Sequence, residues 1–315
     1  MSINANLTNL TKALYVCSES FTEGIYHHLI FISTFSVFLC IITFSGNALI
    51  LVALRKESTL GSPSKLLLRS LATSDLFVGM FSDPLVAIYW VSALKEHWSV
   101  CYYAISTGFF LKNALCTVSL LTTCAISVDR LLALSLGIRY RETVTLKRVY
   151  GIIITFWVLA AVHSAFSVNN FEFSDIFSHT VICVCLAVSM SSHTMIFFSL
   201  RKYRIRVHTG RSSEDPPIAE SSQEVEVSVA KHRKAVSSVL WIQLALLICY
   251  LPYFVIVALL YIRGHSEPSK NLVLSRQYGV VFVLVNSALN PLLYCWKIPD
   301  VRQAVVSTLK NCRCS

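Results

Sequence analysis

Charged residues are scarce in this chain, at 14% of its 315 residues, whereas a typical soluble protein has about 25%. That shortage excludes most soluble enzymes and DNA-binding proteins, which depend on charged surfaces. Acidic residues are the scarcer kind, and the formal net charge is +10. The mean hydropathy of +0.62 indicates a protein that lies mostly in a membrane, where excess basic residues belong in cytoplasmic loops rather than on a nucleic-acid surface.

The sequence also lacks the signatures of membrane enzymes and transporters. His163 and His193 are the two histidines deep in apolar stretches, and they do not have the spacing with which one helix binds a metal. No nucleophilic triad accompanies them. Transporters favour repeats, broken helices and mid-membrane charges, and we find no repeat. We therefore predict that the chain is not an enzyme, and a membrane transporter is a less favoured alternative.

Seven apolar stretches are each long enough to cross the ~30 Å hydrocarbon core as a helix. We number them as the first to the seventh span, and they cover about 28–54, 64–91, 101–134, 148–168, 179–203, 232–261 and 273–297. The prediction is an all-α membrane protein, a seven-transmembrane helix bundle over 28–297, with an N-terminal segment (1–27) and a C-terminal segment (298–315) outside it. In the C-terminal segment, Val301, Val305 and Leu309 share one helical face, which predicts a short C-terminal amphipathic helix on the membrane surface.

Basic residues predict the orientation of the bundle. They crowd the first two loops on one side and the margins of the long third loop there, about 204–231. The opposite side has few, among them Arg263, Lys270 and Arg276. The positive-inside rule then predicts a multi-pass protein of the plasma membrane with an extracellular N-terminus and a cytoplasmic C-terminus.

Several modifications are expected on the two termini. N-glycosylation motifs begin at Asn6 and Asn9, which agrees with an extracellular N-terminus. No cleavable signal peptide precedes them, so the first span is expected to act as the insertion signal. Cys312 and Cys314 follow the amphipathic helix as candidates for palmitoylation, with unmodified thiols as the alternative.

Cysteine pairing is left open by the sequence. Most of the eleven cysteines lie in apolar stretches, where cysteine behaves as a small hydrophobic residue. Cys17, Cys101 and Cys183 are the ones that can face an oxidising compartment. Cys101 pairs with Cys17 or with Cys183, or remains free, because connectivity does not follow from sequence.

A group of polar residues lies where lipid-facing helices should be apolar. Asp75 is in the middle of the second span, Ser119 lies on the third, and the seventh carries Asn286, Ser287 and Asn290. Oxygen-rich side chains around a carboxylate suit a small hard cation. The alternative is a hydrogen-bond network that only satisfies a buried acid, and the residues alone do not separate the two.

A charged pair, Asp129-Arg130, ends the third span on the predicted cytoplasmic side. The two charges can pair, and the guanidinium can be redirected to a partner protein. The alternative is interfacial anchoring of the helix. Pro252 in the sixth span and Pro291 in the seventh each remove a helix hydrogen bond, so both helices are predicted to kink.

Together these residues resemble the rhodopsin-like, or class A, G-protein-coupled receptors over about 28–314. The markers, in span order, are Ser45-Gly46-Asn47, Leu71-Ala72-Thr73-Ser74-Asp75, Asp129-Arg130-Leu131, Trp157, Cys249-Tyr250-Leu251-Pro252 and Asn290-Pro291-Leu292-Leu293-Tyr294. Each marker is weak alone, but their joint order and spacing are specific. The segments that follow the third and seventh spans are most similar to the melanocortin, adenosine and cannabinoid receptor group.

The resemblance implies a receptor that converts binding of an extracellular ligand into activation of a heterotrimeric G protein. Arg130 would contact the G protein, and Tyr294 would take part in the same rearrangement. Tyr250 stands where the family usually has tryptophan, which points to a different switch. The resemblance also implies an allosteric sodium ion at Asp75 and its four polar neighbours, no other cofactor, and arrestin and receptor kinases as further partners. A constitutively active or non-coupling seven-helix protein is the alternative.

Lys112 is the residue that is most informative about the type of ligand. The sequence leaves small molecules, lipids and peptides open as ligands. The resemblance places it in the outer ligand pocket with Asp83, Asn113, Tyr250 and Tyr253. Amine receptors of the family have aspartate at this position, so an amine held there by an ion pair is disfavoured. Lysine can instead hold a carboxylate or phosphate. The alternative is an internal ion pair between Lys112 and Asp83, because an unpaired lysine in an apolar bundle is costly.

Overall fold

The computed structural model describes residues 15–56, 62–169, 171–210, 244–260, 262, 269–297 and 299–313. Within these ranges the chain is helical apart from short turns and contains no strand, which confirms the predicted all-α class. The first span is Tyr26–Lys56, and the second consists of Ser62–Phe77, the π-helical segment Val78–Ser82 and Asp83–Leu94. The third span is Trp98–Leu136, the fourth Leu146–Asn169 and the fifth Phe171–Gly210. The described part of the sixth is Leu244–Leu260, and the seventh is Lys270–Lys297. Shorter helices are Glu19–Thr22, Gly137–Arg139, Tyr140–Thr143 and Pro299–Arg313.

Six spans are long and apolar enough to cross a membrane, and the described part of the sixth is a shorter apolar helix. Their outward faces carry large exposed apolar side chains, such as Phe38, Ile154 and Phe197. A soluble monomer rarely exposes so much contiguous apolar surface, whereas lipid covers it on a membrane protein. The structure therefore supports a multi-pass membrane protein.

The fifth span is longer at both ends than predicted. The fourth span ends at Asn169 and the fifth begins at Phe171, so the two helices follow each other almost directly. The fifth span also continues to Gly210, so the start of the predicted third loop is helical. The rest of that loop, including the margin before the sixth span, lies outside the described residues.

The N-terminal segment closes one end of the bundle, which we call the Cys101 end. Cys17 forms a disulfide with Cys101 at the start of the third span, whereas Cys183 is free and exposed. Phe21, in the short helix Glu19–Thr22, is completely buried in a core cluster shared with Trp90 of the second span. The pairing that the sequence left open is thus decided in favour of Cys17.

The C-terminal helix packs against the opposite end, which we call the Arg130 end. Its buried row is Val301, Ala304, Val305 and Thr308, whereas Leu309 is exposed. Leu309 does not lie beside Val301 as predicted, because residues eight apart drift around a helix with about 3.6 residues per turn. The helix is amphipathic, as predicted, with a slightly rotated face.

The first and second spans touch at Gly79, within the π-helical segment. The Cys40 Sγ donates a hydrogen bond to the Gly79 carbonyl oxygen over 3.1 Å. A Cβ atom added at Gly79 would lie 2.6 Å from the Phe44 backbone nitrogen. Only glycine therefore permits this backbone contact, since no side-chain movement can relieve a clash with backbone.

We expect Gly79→Ala to destabilise the protein by about 1–3 kcal/mol, the usual cost of overpacking a core. The expected result is a lower melting temperature of the purified protein, measured by thiol-dye unfolding in detergent. Gly151→Ala on the fourth span is the matched control, because its added Cβ meets nothing within 4 Å. Equal melting temperatures for the two variants would contradict the contact.

Candidate functional site

Asp75 lies at the centre of a polar cluster that joins three spans. Its carboxylate is completely buried and accepts hydrogen bonds from Ser119 Oγ (3.0 Å), Ser287 Oγ (2.8 Å) and Asn290 Nδ2 (2.6 Å). Four of the five predicted residues therefore meet. Asn286 is buried beside them on the seventh span but is not among the three donors.

Asn47 extends this cluster to the first span. Its Nδ2 donates to the backbone oxygens of Thr43 (2.8 Å) and Ser287 (3.2 Å), while its Oδ1 has no hydrogen-bond partner among the described residues. Gly46, next in the chain, lets Pro291 approach closely, because a Cβ there would lie 3.1 Å from the proline ring. The first and seventh spans are thus joined directly beside Asp75.

At the Arg130 end, Asp129 receives three donors. Arg130 forms an ion pair with it at 3.2 Å, Ser64 Oγ donates at 2.7 Å, and the Tyr140 hydroxyl donates at 2.5 Å. Asp129 is buried, whereas the Arg130 side chain is 30% exposed. The guanidinium is therefore held by one buried carboxylate and is open to an approaching partner.

Ser64 and Tyr140 were not identified as site residues from the sequence. Tyr140 lies in the short helix after the third span, outside the membrane-spanning segments. Burial, followed by its hydrogen bond to Asp129, raises the pKa of the Tyr140 hydroxyl to about 12. The phenol thus stays protonated at physiological pH and remains a donor to Asp129.

The predicted switch residues of the sixth and seventh spans are placed along the bundle interior. Tyr250 is buried, and Pro252 lies in the same helix, Leu244–Leu260. Pro291 is inside the seventh helix, which continues through it. Tyr294 is almost completely buried, and its hydroxyl has no hydrogen-bond partner among the described residues.

Two adjoining cavities lie in the half of the bundle nearer the Cys101 end. The 2–3–7 cavity, of about 70 Å³, lies between the second, third and seventh spans, and its lining includes Tyr89, Trp90 and Arg276. The 3–5–6 cavity, of about 40 Å³, includes Asn113 and Tyr253 in its lining. One water takes about 10–15 Å³ on such a measure, so each cavity holds a few waters or a small polar group.

Lys112 lines both cavities. Its Nζ lies 5.3 Å from the centroid of the Phe109 ring and 5.1 Å from that of Tyr253, which is cation–π distance. Arg276 is the second basic residue in the lining, and the lining residues that the structure describes include no acid. Arg276 was predicted to lie on the loop side with Arg263 and Lys270, and it lies on the seventh span and lines the 2–3–7 cavity.

Asp83 is not part of either cavity lining. It is completely buried, and its neighbours are Thr43 and Cys40 on the first span. The alternative of an ion pair with Lys112 is wrong for the described structure, because neither carboxylate oxygen has a partner there. The π-helical turn Val78–Ser82 just before Asp83 adds residues to one turn of helix and so changes the direction of the side chains that follow it.

A buried hydrogen-bond network braces the wall of the 3–5–6 cavity. Asn113 Nδ2 donates to Ser174 Oγ over 3.0 Å, and the His163 ring lies 3.5 Å from Thr117 Oγ1 and 3.3 Å from Ser174 Oγ. His163 also stacks on Phe177. These contacts link the third, fourth and fifth spans where the last two join almost directly. Asn113 thus lines the 3–5–6 cavity and also belongs to the hydrogen-bond network behind it.

Comparison with known proteins identifies the family. The model of the seven-transmembrane receptors of the rhodopsin family matches residues 46–294. The chain belongs to this family. The Asp75 cluster, the Asp129–Arg130 pair and the cavities around Lys112 are therefore parts of a rhodopsin-family receptor.

The receptor is similar to several curated proteins. It is 27% identical over 301 residues to the histamine H2 receptor of Canis lupus familiaris, covering 87% of this chain and 78% of that protein. It is 33% identical over 130 residues to the alpha-2B adrenergic receptor of Echinops telfairi, covering 41% of this chain, and 35% identical over 132 residues to that of Erinaceus europaeus, covering 40%. The matches span about a third of the length of these adrenergic receptors. The predicted similarity to the melanocortin, adenosine and cannabinoid group stays a prediction.

Proposed function

We propose that this receptor binds a small organic anion in the cavities around Lys112 and, in response, activates a heterotrimeric G protein through Arg130. The observation that carries the proposal is Lys112, a buried ammonium that lines both cavities over two aromatic rings, while the described lining residues include a second base, Arg276, and no acid. The charge of Lys112 needs compensation in an apolar bundle. A carboxylate or phosphate provides it.

The same charges disfavour a cationic ligand. Histamine, for which one relative is named, is a cationic amine at neutral pH, and Lys112 and Arg276 would repel it. The rings of Phe109 and Tyr253 hold the Lys112 ammonium without neutralising its charge. A small organic acid therefore suits the cavities best, with its apolar part against Trp90 and Tyr89.

Coupling to the G protein is proposed to depend on the release of Arg130 from Asp129. Because Ser64 and Tyr140 also donate to Asp129, its charge stays stabilised after the arginine leaves. That lowers the cost of separating the ion pair. Ligand binding between the third, sixth and seventh spans would bias the bundle towards the state in which Arg130 is free.

A sodium ion at Asp75 is proposed as an allosteric regulator of the inactive state. The residues fit it: Asp75, Ser119 and Ser287 offer a carboxylate and two hydroxyl oxygens from three spans, all buried, and oxygen is the ligand that a hard cation requires. The unpartnered Asn47 Oδ1 lies on the adjoining turn of the first span. Asn286 would complete the set only after a side-chain movement.

The remaining proposals concern the surroundings of the receptor. The Arg130 end is proposed to face the cytoplasm, where arrestin and receptor kinases would act, and the Cys101 end to face the extracellular space. The disulfide at the latter end supports this orientation, since disulfides persist in oxidising compartments. The proposed glycosylation sites Asn6 and Asn9 and the proposed palmitoylation site Cys314 lie outside the described residues, and Cys312 lies in the last turn of the C-terminal helix.

The proposal is tested by G-protein dissociation in cells that express the receptor, across all G-protein subtypes. The probes are a panel of aromatic carboxylates, short-chain fatty acids and phosphate monoesters, each beside an amine of matched size. Activation by an acid but not by its matched amine would support the proposal. Activation by amines alone would refute the ligand class while leaving G-protein coupling intact.

For any acid that activates the receptor, Lys112→Ala is expected to weaken its potency by about 10–100-fold. That range corresponds to the loss of one charge-assisted hydrogen bond, about 1.5–3 kcal/mol. Lys95→Ala is the matched control, because Lys95 is exposed at the same end of the bundle. Concentration–response curves at matched surface expression give the comparison, and equal potency on both variants would place the acid elsewhere.

A further inference from the structure

Asp83 is an acid for which neither the coupling pathway nor the ligand cavities provide a role. It directly follows the π-helical segment Val78–Ser82 of the second span and is completely buried. Neither of its carboxylate oxygens has a hydrogen-bond partner among the described residues. Buried polar groups in proteins are nearly always satisfied, so this carboxylate calls for a partner of another kind.

No basic side chain forms an ion pair with Asp83 among the described residues. The Lys112 ammonium lies over the rings of Phe109 and Tyr253. The basic residues of the second span, such as Arg69, lie towards the Arg130 end, where Arg69 donates to the Leu54 carbonyl oxygen. Asp75, eight residues earlier in the same span, adds a second negative charge. An uncompensated carboxylate inside a bilayer is costly, so a mobile cation is the natural counter-charge.

Residues next to Asp83 carry oxygen atoms that form no hydrogen bond of normal geometry. Thr43 faces Asp83 from the first span, and its Oγ1 is completely buried and lies close enough to stabilise the charged carboxylate. Ser82 is adjacent to Asp83 in the chain, and its hydroxyl is also buried without a hydrogen-bond partner among the described residues. One turn along the first span, Asn47 Oδ1 is also unpartnered. Cys40, the other neighbour, donates its thiol hydrogen to Gly79 and is therefore not a thiolate ligand.

We infer that Asp83 and Thr43, with Ser82, form a second cation site between the first and second spans, selective for a hard monovalent cation such as Na⁺. The donors are oxygens, which hard cations require. A single carboxylate with neutral hydroxyls matches one positive charge, whereas Ca²⁺ takes more oxygen ligands and usually several carboxylates. The site lies about 12 Å along the helix from Asp75, at 1.5 Å per residue, and does not depend on whether Asp75 holds sodium.

The test is equilibrium binding of ²²Na⁺ to the full-length receptor purified into lipid nanodiscs, at constant ionic strength set with choline chloride. Four proteins are compared: wild type, Asp75→Asn, Asp83→Asn and the double variant. With sodium at both acids, we expect two ions in wild type, one in each single variant and none in the double variant. If Asp75 holds no sodium, wild type and Asp75→Asn would each bind one ion, and Asp83→Asn would remove it. That result would support the Asp83 site and refute the Asp75 site.

A second pair of variants covers the case in which Asp83→Asn does not fold. In the Asp75→Asn background, Thr43→Val is expected to weaken Na⁺ binding about tenfold, equivalent to about 1.4 kcal/mol. Thr155→Val is the matched control, because Thr155 is an exposed helix threonine that bonds only within its own span. The inference is overturned if Asp75→Asn binds no Na⁺, or if its remaining Na⁺ is indifferent to both Asp83→Asn and Thr43→Val. If a proton rather than Na⁺ neutralises the Asp83 carboxylate, Asp75→Asn would bind no Na⁺.

Discussion

Arg130→Ala is expected to abolish G-protein activation while the protein still reaches the cell surface. Arg130 is the partly exposed half of the ion pair at the Arg130 end, and Asp129 keeps its bonds to Ser64 and Tyr140 without it. The fold should therefore survive the substitution, whereas the guanidinium offered to a partner is lost. The measurement is basal and ligand-stimulated G-protein dissociation in cells, normalised to surface expression, with at least a tenfold fall expected, equivalent to about 1.4 kcal/mol.

The control for this experiment is Arg148→Ala. Arg148 is exposed at the same end of the bundle, where its guanidinium donates to the Thr143 carbonyl oxygen over 2.6 Å. It carries the same charge and size but has no link to Asp129. Full signalling by Arg130→Ala would refute the role of Arg130 in coupling, and equal losses in both variants would show that general positive charge rather than Arg130 serves it.

Removing the disulfide is expected to have the largest effect on stability. Cys17→Ser and Cys101→Ser each release the segment that buries Phe21 over the Cys101 end. Loss of a native disulfide typically costs about 2–5 kcal/mol, and the bond here links residues 84 positions apart. The expected results are a lower melting temperature in detergent and reduced surface expression.

The double variant and a third cysteine make this test specific. Because Cys17 and Cys101 act as one bond, Cys17→Ser with Cys101→Ser should be no less stable than either single variant, which is the non-additivity expected of coupled residues. Cys183→Ser should behave as wild type, since Cys183 is a free, exposed cysteine on the fifth span. An effect of Cys183→Ser equal to that of Cys17→Ser would contradict the pairing.

The disulfide also bears on how ligands reach the cavities. The fourth and fifth spans join almost directly at the Cys101 end, so that connection is too short to cover the bundle. The N-terminal segment takes this place, fixed by Cys17 and by Lys270, whose ammonium donates to the backbone oxygens of Ser20 and Glu23. A ligand entering the 2–3–7 cavity would pass beside this segment.

Much of the fold was predictable because it depends on local apolar length. Each stretch of about twenty apolar residues must be a helix in lipid, where backbone groups have no other partner. Each predicted span is helical where the structure describes it, although the fifth is longer than predicted. The boundary between the fourth and fifth spans was predicted less well. Such boundaries are predicted from a polar loop between two apolar stretches. Only one residue separates Asn169 from Phe171, so no such loop marks this boundary.

The candidate site was predictable only where neighbours in the sequence carry it or where the family resemblance supplied it. Asp129 and Arg130 are adjacent, and their ion pair follows from that position. The partners of Asp75 lie up to 215 positions away, and only the resemblance brought them together in advance. Ser64 and Tyr140 carry no signal of their own, because a serine and a tyrosine near a span end are common.

By itself, the sequence determined the class of the protein, the number and order of its spans and the polar residues that lipid cannot tolerate. Tertiary structure alone decided which way those residues face. A π-helical turn changes the rotation of every residue after it by an amount that hydrophobic periodicity does not reveal. Asp83 lies beside Thr43 and forms no ion pair with Lys112, and the lysine lines the two cavities, where the described residues include Arg276 but no acid.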